Sequence, residues 1–136
     1  LAGAHVVIVG RGLTIGRPLA NLMTLKHGPD AAVTVVHTGV ADIGRFTRTA
    51  DVIVAAAGAP GMITADMVKQ GAAVVAAGVS FVDGKVVSDV ADEVAEVAGL
   101  VSPRIGGVGP MTRAMLLANI VSIAEHALDH GAGPGR

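Results

Sequence analysis

Runs of apolar residues alternate along this chain with segments whose apolar positions recur at helical spacing. The first run, His5–Val9, is β-branched at four consecutive positions and ends at a glycine, which is typical of a strand buried on both faces of a parallel sheet. Similar runs predict strands over residues 32–37, 51–56, 72–77 and 100–102. Because helical segments separate these strands, the pattern predicts an α/β fold with a doubly wound, mostly parallel sheet in a three-layer αβα arrangement.

Turn and cap residues set the limits of the first predicted helices. Pro18 suits the first turn of a helix, and Gly28-Pro29 ends that helix before the second strand. Thr64 is expected to cap a short helix that runs to Lys69. Two more short helices are expected over residues 43–49 and 89–98.

The C-terminal part of the chain contains one predicted hairpin and the longest predicted helix. Asp83-Gly84 is a strong turn signal between two β-rich pieces, so residues 79–88 are expected to form a hairpin. A helix is predicted from Met111 to about His130. We expect residues 1–130 to form one domain and the glycine-rich tail 131–136 to be disordered.

The composition narrows the classes of partner. The 136 residues are the size of one domain and include no Tyr, Trp or Cys. With a formal net charge of -1 and no basic stripe, the chain is not expected to bind nucleic acid. The absence of Cys excludes disulfide bonds and thiolate metal sites, and it fits the cytoplasmic location that we expect. No apolar run is as long as a membrane span, so no membrane partner is expected either.

The segment Gly10–Gly16 (GRGLTIG) lies between the first strand and the first helix. Gly10 can take the tight turn, Gly12 allows close approach of a pyrophosphate, and Gly16 lets the helix pack closely. The N-terminus of that helix offers free N–H groups and a positive dipole to a phosphate. Such spacing also occurs in ordinary strand-to-helix turns, but the strand before it and the helix after it favour a Rossmann-like nucleotide site.

The end of the second strand bears on which nicotinamide cofactor would bind. NAD sites usually place an acidic residue there to bind the ribose hydroxyls. This strand ends in His37-Thr38 instead, with no acid before Asp42. Arg11 in the glycine loop can face the same ribose, and a cation with a hydroxyl donor suits a phosphate. We therefore predict NADP as the cofactor, although a solvated Arg11 and a packed strand-end His37 would give the same sequence.

Five stretches of the chain together resemble one enzyme family. They are HVVIVGRGLTIGRP, TVVHTG, TRTADVIVAAAGAPGMITADMVKQGAAVV, DGKVVSDV and GGVGPMTRAMLLANIV. The family is that of the bifunctional methylenetetrahydrofolate dehydrogenase/methenyltetrahydrofolate cyclohydrolases, and the resemblance is to their C-terminal NAD(P)-binding domain. It extends over nearly the whole chain, and GGVGPMT is its most distinctive part.

The resemblance implies an activity and a set of site residues. Members of the family oxidise methylene-tetrahydrofolate with a nicotinamide cofactor and then hydrolyse the methenyl product to formyl-tetrahydrofolate. Thr38 would lie near the 2′-phosphate and the backbone of Val79 near the nicotinamide, while Thr112 would either border the folate or cap the last helix. The family also suggests a homodimer formed through this domain. The cofactor-binding residues would be Gly10, Arg11, Gly12, Gly16, His37, Thr38 and Val79, and the residues on the substrate side would be Gly107, Pro110 and Thr112.

The sequence departs from the family at several of these loops. Gly12 stands where Ser is common, which removes a hydroxyl contact but keeps the backbone geometry. Ala76 stands where an Asp is usual, and Ser88 where a Gly is usual. Arg104 and Ile105 occupy a stretch that normally carries a second proline before the glycines. These departures put the contact with folate in doubt.

The family's catalytic lysine lies in a Tyr-x-x-x-Lys motif on an N-terminal domain, and this chain contains no Tyr. Its three lysines, Lys26, Lys69 and Lys85, are interpreted as solvated surface groups without the neighbours that depress a pKa. We therefore predict no catalytic residue in the chain. The N-terminal folate-binding and catalytic domain is expected to be absent from it, and the fragment alone to be inactive.

The pattern of the last helix also suggests a missing partner. Its apolar band is wider than one contact with a sheet requires, which would suit a helix buried on two sides. A helix sunk in its own core would show the same pattern.

Two alternative functions and a metal site are the other interpretations of this sequence. The first alternative is a non-catalytic nucleotide-binding or regulatory module with the same fold, and the second is a purely structural α/β domain, which leaves the glycine-rich strand ends unexplained. A metal site is not predicted, because only His126 and His130 of the five histidines have helical spacing and no carboxylate joins them.

Overall fold

A computed structural model describes residues 1–129, and its centre is a sheet of five parallel strands in the order β2-β1-β3-β4-β7. Helices lie on both faces, so the predicted α/β, doubly wound architecture is confirmed. In chain order the elements are β1 (His5–Val9), α1 (Gly16–Met23), β2 (Ala32–Val36), α2 (Gly44–Thr47), β3 (Val52–Ala55), β4 (Ala73–Ala76), β5 (Val79–Val82), β6 (Lys85–Ser88), β7 (Leu100–Val101) and α3 (Val108–Asp129), with 3₁₀ turns at Ala65–Met67 and Asp92–Glu96.

Strand β1 lies in the middle of the core, and none of its last four side chains is exposed to solvent. Successive side chains point to opposite faces of the sheet. Val7 and Val9 pack into the larger cluster, together with Ile53 of β3. Val6 and Ile8 lie on the other face, which α1 covers. Burial on both faces explains why the strand is apolar at every one of these positions.

The chain leaves β1 in one direction to reach β2 and later returns on its other side to form β3. This change of direction makes the gap between the carboxyl ends of β1 and β3 the topological switch point, where ligands of such sheets bind. The register places Val9 beside Val36 on one side and beside Ala55 on the other. The loop that starts at Gly10 therefore begins at the switch point.

The predicted hairpin is present as the antiparallel pair β5–β6, outside the main sheet. Asp83 and Gly84 both have positive φ, 50° and 74°, as a tight two-residue turn between twisted strands requires. Phe81 at its outer face is 77% exposed.

The short helices are shorter than the sequence predicted. Residues 64–69 form only the 3₁₀ turn Ala65–Met67, and Thr64 makes no capping bond to a backbone N–H, so the predicted cap is wrong. Val68 is already extended because the chain must reach β4. Residues 89–98 likewise form only the turn Asp92–Glu96, because Asp89 is drawn into the core.

Helix α3 differs most from its prediction. It begins at Val108, three residues earlier than expected, because Pro110 is tolerated in a first turn. Thr112 is thus inside the helix, where its hydroxyl donates to the carbonyl of Val108 at 3.0 Å, and the alternative that it caps the helix is wrong. No α3 residue is buried, so α3 is not sunk in its own core either. The tail 131–136 and His130, the predicted end of the helix, lie outside the described residues.

Candidate cofactor site

The glycine loop lies tightly against the switch point. Gly10 has φ 134°, and a Cβ added there would overlap the backbone carbonyl of Ala56. A Cβ on Gly16 would overlap the carbonyl of Gly10, which is how closely α1 approaches the loop. Gly12 differs, because no heavy atom lies within 4 Å of the position of its Cβ. Two glycines therefore allow the close packing of the loop, and the third faces open space that a ligand can occupy.

A groove of about 330 Å³ opens beside this loop, and we call it the cofactor groove. It brings Arg11 together with His37 and Thr38 from the end of β2, as the sequence predicted. Arg17, in the first turn of α1, also lines it and was not predicted. The lining residues are Gly10, Arg11, Gly12, Arg17, His37, Thr38, Ala56 and Ala57.

The cofactor groove is suited to an anion. None of its lining residues is acidic. The first turn of α1 also carries no acidic residue, and Ile15 at its N-cap supplies no side-chain hydrogen bond, so the helix N-terminus keeps its positive partial charge. The Nδ1 atom of His37 accepts a hydrogen bond from the N–H of Gly39 at 3.1 Å, which leaves Nε2 as the ring donor. Two guanidinium groups, a ring N–H and a hydroxyl can thus converge on a phosphate.

A second pocket, of about 380 Å³, lies where the hairpin meets the start of α3. Val79 and Thr112 both line it, so two of the predicted site residues come together here. Three of the five residues that depart from the family pattern also line it, namely Ala76, Arg104 and Ile105. Arg104 also forms an ion pair with Asp92 at 3.8 Å.

The other two residues predicted for the substrate side lie elsewhere. Gly107 makes a tight contact, because a Cβ there would overlap the carbonyl of Pro103. It borders a wide apolar groove of about 950 Å³ between α1, β7 and α3, which Thr112 also lines. Pro110 is exposed in the first turn of α3 and lines none of these three pockets.

Asp89, like Arg17, is a residue of the site region that the sequence analysis missed. Its side chain is fully buried, and its Oδ2 accepts the N–H groups of Ala57 and Gly58 at 2.8 and 2.7 Å. Its other oxygen has no partner among the described residues. Gly78 lies so close that a Cβ there would overlap the carboxylate. Asp89 therefore fixes the loop after β3, which supplies Ala57 to the cofactor groove.

The lysines do not supply a base to either pocket. Lys26 and Lys85 are exposed and form no ion pair with a described residue. Lys69 is not simply solvated, because it donates to Asp51 at 2.6 Å at the opposite edge of the sheet. The ammonium group of Lys69 and the N–H of His5 hold the pKa of Asp51 below its ordinary value of 3.8.

No group of three or more His, Asp or Glu side chains among residues 1–129 could hold a metal ion. None of the described helices is long and apolar enough to cross a membrane.

Comparison with known proteins identifies the family. Residues 1–128 match the family model of the tetrahydrofolate dehydrogenase/cyclohydrolase NAD(P)-binding domain. This chain belongs to that family. The expected resemblance is therefore confirmed, and the fold just described is an NAD(P)-binding domain.

Solved structures of family members agree. The bifunctional enzyme FolD, methylenetetrahydrofolate dehydrogenase/cyclohydrolase, from Campylobacter jejuni is 42% identical with a TM-score of 0.85, over 92% of this chain and 44% of that one. The 5,10-methylenetetrahydrofolate dehydrogenase of the silkworm Bombyx mori is 36% identical with a TM-score of 0.88, over 94% and 46%. The Trypanosoma brucei enzyme, complexed with NADP and an inhibitor, is 37% identical with a TM-score of 0.82, over 93% and 45%.

This family member spans a little under half the length of these relatives. The cofactor groove fits the group that the family binds, because Gly12 leaves open space at its wall and no carboxylate opposes a phosphate. The family's usual Asp at position 76 is replaced by Ala, whose N–H donates to the hydroxyl of Ser102 at 2.8 Å.

Proposed function

We propose that this chain binds NADP as the cofactor half of a methylenetetrahydrofolate dehydrogenase/cyclohydrolase. The reaction would be oxidation of methylene-tetrahydrofolate to methenyl-tetrahydrofolate, followed by hydrolysis to formyl-tetrahydrofolate. Membership of the family and the cofactor named for the Trypanosoma brucei relative support this proposal. Residues 1–130 would be the cofactor domain, with the folate-binding and catalytic domain on a separate N-terminal part.

The observation that carries the choice of NADP is the acid-free wall of the cofactor groove. A carboxylate at the end of β2 would accept hydrogen bonds from the ribose hydroxyls of NAD and repel the 2′-phosphate of NADP. Here the end of β2 presents His37 and Thr38, and Arg11 lines the same groove. Donors and a cation in these places favour the phosphorylated ribose.

The bound cofactor would accept hydride from the folate, and the side chains of this chain would bind and orient it. Gly10, Arg11, Gly12 and Gly16 would hold its phosphates at the N-terminus of α1. The backbone of Val79 would position the other end in the second pocket. Gly107, Pro110 and Thr112 would face the folate across the cleft, with the hydroxyl oxygen of Thr112 still able to accept a hydrogen bond.

No general base is proposed within this chain, because its lysines lie away from both pockets. The cyclohydrolase step would depend on a lysine of the N-terminal domain, so the 136-residue chain alone would be inactive. The exposure of α3 supports a domain of that kind packing against it. Its large apolar side chains from Met111 to Leu128 are between 52% and 79% exposed, which is far from the usual environment of such residues.

A cytoplasmic homodimer formed through this domain is also proposed. Hairpin β5–β6 supports it, because each strand pairs only with the other among the described residues and leaves an open edge. Replacing the exposed Phe81 with Lys should shift the protein toward the monomer in sedimentation analysis. The matched change at Leu25, which is 52% exposed in a distant turn, should leave the mass unchanged.

A second candidate is a nucleotide-binding or regulatory module without chemistry. The observation in its favour is that three of the five departures from the family, Ala76, Arg104 and Ile105, line the second pocket. Such a module would keep the cofactor groove and lose productive contact with folate.

Two measurements on the protein as its gene encodes it test these proposals. Calorimetry should show that NADP binds about tenfold or more tightly than NAD, which corresponds to one charged contact. Binding of neither nucleotide would contradict the cofactor proposal. An assay of NADPH formation from methylene-tetrahydrofolate then separates the candidates, since the module would bind NADP without reducing it. The coding sequence upstream of Leu1 should supply Tyr-x-x-x-Lys; a protein that starts at Leu1 would not be the enzyme.

A further inference from the structure

The cofactor groove contains two arginines, and the sequence analysis assigned a role to only one of them. Arg11 belongs to the glycine loop, and Arg17 follows Gly16 in the first turn of α1. Both arginines line the same 330 Å³ groove as His37 and Thr38. The second arginine thus lines the groove that the end of β2 also lines.

Neither arginine is neutralised by a neighbouring carboxylate. Among residues 1–129, Arg48 pairs with Asp42 and Asp66, and Arg104 pairs with Asp92. Arg11 and Arg17 form no ion pair with any described residue, and both are exposed. Two like charges and a helix N-terminus at one concave surface repel each other until an anion lies between them.

The charge of the anion can be matched to this arrangement. A phosphate monoester such as a 2′-phosphate carries about 1.5 to 2 negative charges at neutral pH, more than a single diester phosphate. One arginine would leave part of that charge unpaired in the groove, whereas two arginines with the Thr38 hydroxyl can pair all of it.

We propose that Arg17 is a second specificity-determining residue, which acts with Arg11 on the phosphate that distinguishes NADP from NAD. This inference rests on the proposed binding of NADP. It assigns Arg17 to the adenosine side of the cofactor, near the end of β2. A contact with the pyrophosphate, which NAD and NADP share, is the competing role.

The test compares four variants of the protein as its gene encodes it: Arg17→Ala, Arg17→Lys, Arg11→Ala and the double alanine variant. Dissociation constants of NADP, NAD and 2′,5′-ADP are measured by calorimetry at a single ionic strength, because phosphate contacts depend on salt. Arg45→Ala is the matched control, since Arg45 is exposed on α2, forms no ion pair with a described residue and lies outside the groove.

Arg17→Ala should weaken NADP and 2′,5′-ADP about tenfold and change NAD less than about twofold, as expected for one charged hydrogen bond. Arg17→Lys should recover part of the loss, because Lys keeps the charge but not the bidentate geometry. The double variant should lose most of the preference for NADP, and Arg45→Ala should change nothing.

Equal losses of NADP and NAD in Arg17→Ala would overturn the inference and place Arg17 at the pyrophosphate. No loss of either would overturn it and leave Arg17 in solvent. In both cases wild-type protein still binds NADP, so the proposed function survives. Failure of the wild type to bind NADP would instead overturn the proposed function, and the inference with it.

Discussion

The cofactor edge of the sheet and helix α3 differ in how well each is packed by residues of this chain. At the cofactor edge the loops that follow β1 and β3 pack closely, and Asp89 fixes the second of them. Helix α1 beside them is amphipathic, with Leu19, Ala20 and Met23 against the core. Helix α3 is apolar around most of its circumference and has no buried residue.

This contrast reflects different structural requirements of a nucleotide site and of an apolar helix. A nucleotide site needs backbone groups held in place, and one α/β unit can hold them with its own core. An apolar helix needs a second surface, because apolar area left in water loses the stabilisation that burial provides. If the cofactor edge is stable by itself and α3 depends on another domain, substitutions in the two regions should have different effects.

The largest effect is expected from Asp89→Ala. The change removes the acceptor of two backbone N–H groups at a buried position, so it should lower the free energy of unfolding by about 3 kcal/mol. Urea unfolding measures the loss, and calorimetry on the remaining folded protein should show weaker NADP binding. Asp89→Asn is the matched control, because its amide oxygen can still accept both N–H groups. A stability equal to wild type in Asp89→Ala would show that Asp89 does not fix the loop.

The next effect concerns α3 and depends on which protein carries the change. Ile120 is 55% exposed here, so Ile120→Ala should alter the stability of the 136-residue chain by no more than about 0.5 kcal/mol. In a longer protein whose second domain covers α3, the same change should cost about 2 kcal/mol. Thermal unfolding of both proteins checks this. Leu19→Ala in α1 should destabilise both equally, and equal small effects of Ile120→Ala would mean that no domain covers that position.

The same contrast explains what the sequence could predict. The strands and Gly10, Gly12 and Gly16 follow from local pattern, because burial on both faces and tight turns restrict residue type directly. Asp89 could not be found in this way, since its partners lie 32 and 31 residues away and only the fold brings them together. The only sequence signal was the position of Asp89. It directly follows the second hairpin strand and stands next to Ser88, where the family usually has Gly.

Arg17 and α3 were missed or misjudged for related reasons. In the sequence Arg17 resembles any exposed cation in the first turn of a helix, and only the fold brings it into one groove with the end of β2. The periodicity of α3 could not distinguish a helix buried in its own core from one that lacks a cover, because both are apolar on most sides. Its start at Val108 was missed because glycine and proline usually mark a break, yet Pro110 fits the first turn.

A smaller effect at the cofactor edge is expected from Gly12→Ser, which restores the residue common in the family. No heavy atom lies within 4 Å of the position of the added Cβ, so stability should change by no more than about 0.5 kcal/mol. A new hydroxyl contact should tighten NADP about threefold to tenfold. Calorimetry and thermal unfolding on one sample measure both, with Gly58→Ser as a control that is expected to be strained at its φ of 66°. Weaker binding would mean that Gly12 is needed for close approach of the phosphates.

The smallest effect is expected at the amino edge of the sheet, where Asp51 accepts hydrogen bonds from Lys69 and from the N–H of His5. These contacts lower the pKa of Asp51 in the folded protein below its ordinary value of 3.8. Their stabilisation is therefore fully present above the unfolded pKa and is lost as the pH falls through the lower folded pKa.

Asp51→Asn should flatten the loss of stability below about pH 4 while leaving NADP affinity at neutral pH unchanged. Because the pair is partly exposed, added salt should shrink the difference. A change in NADP affinity would show that the two edges of the sheet are coupled, and the cofactor edge would then not be complete in itself.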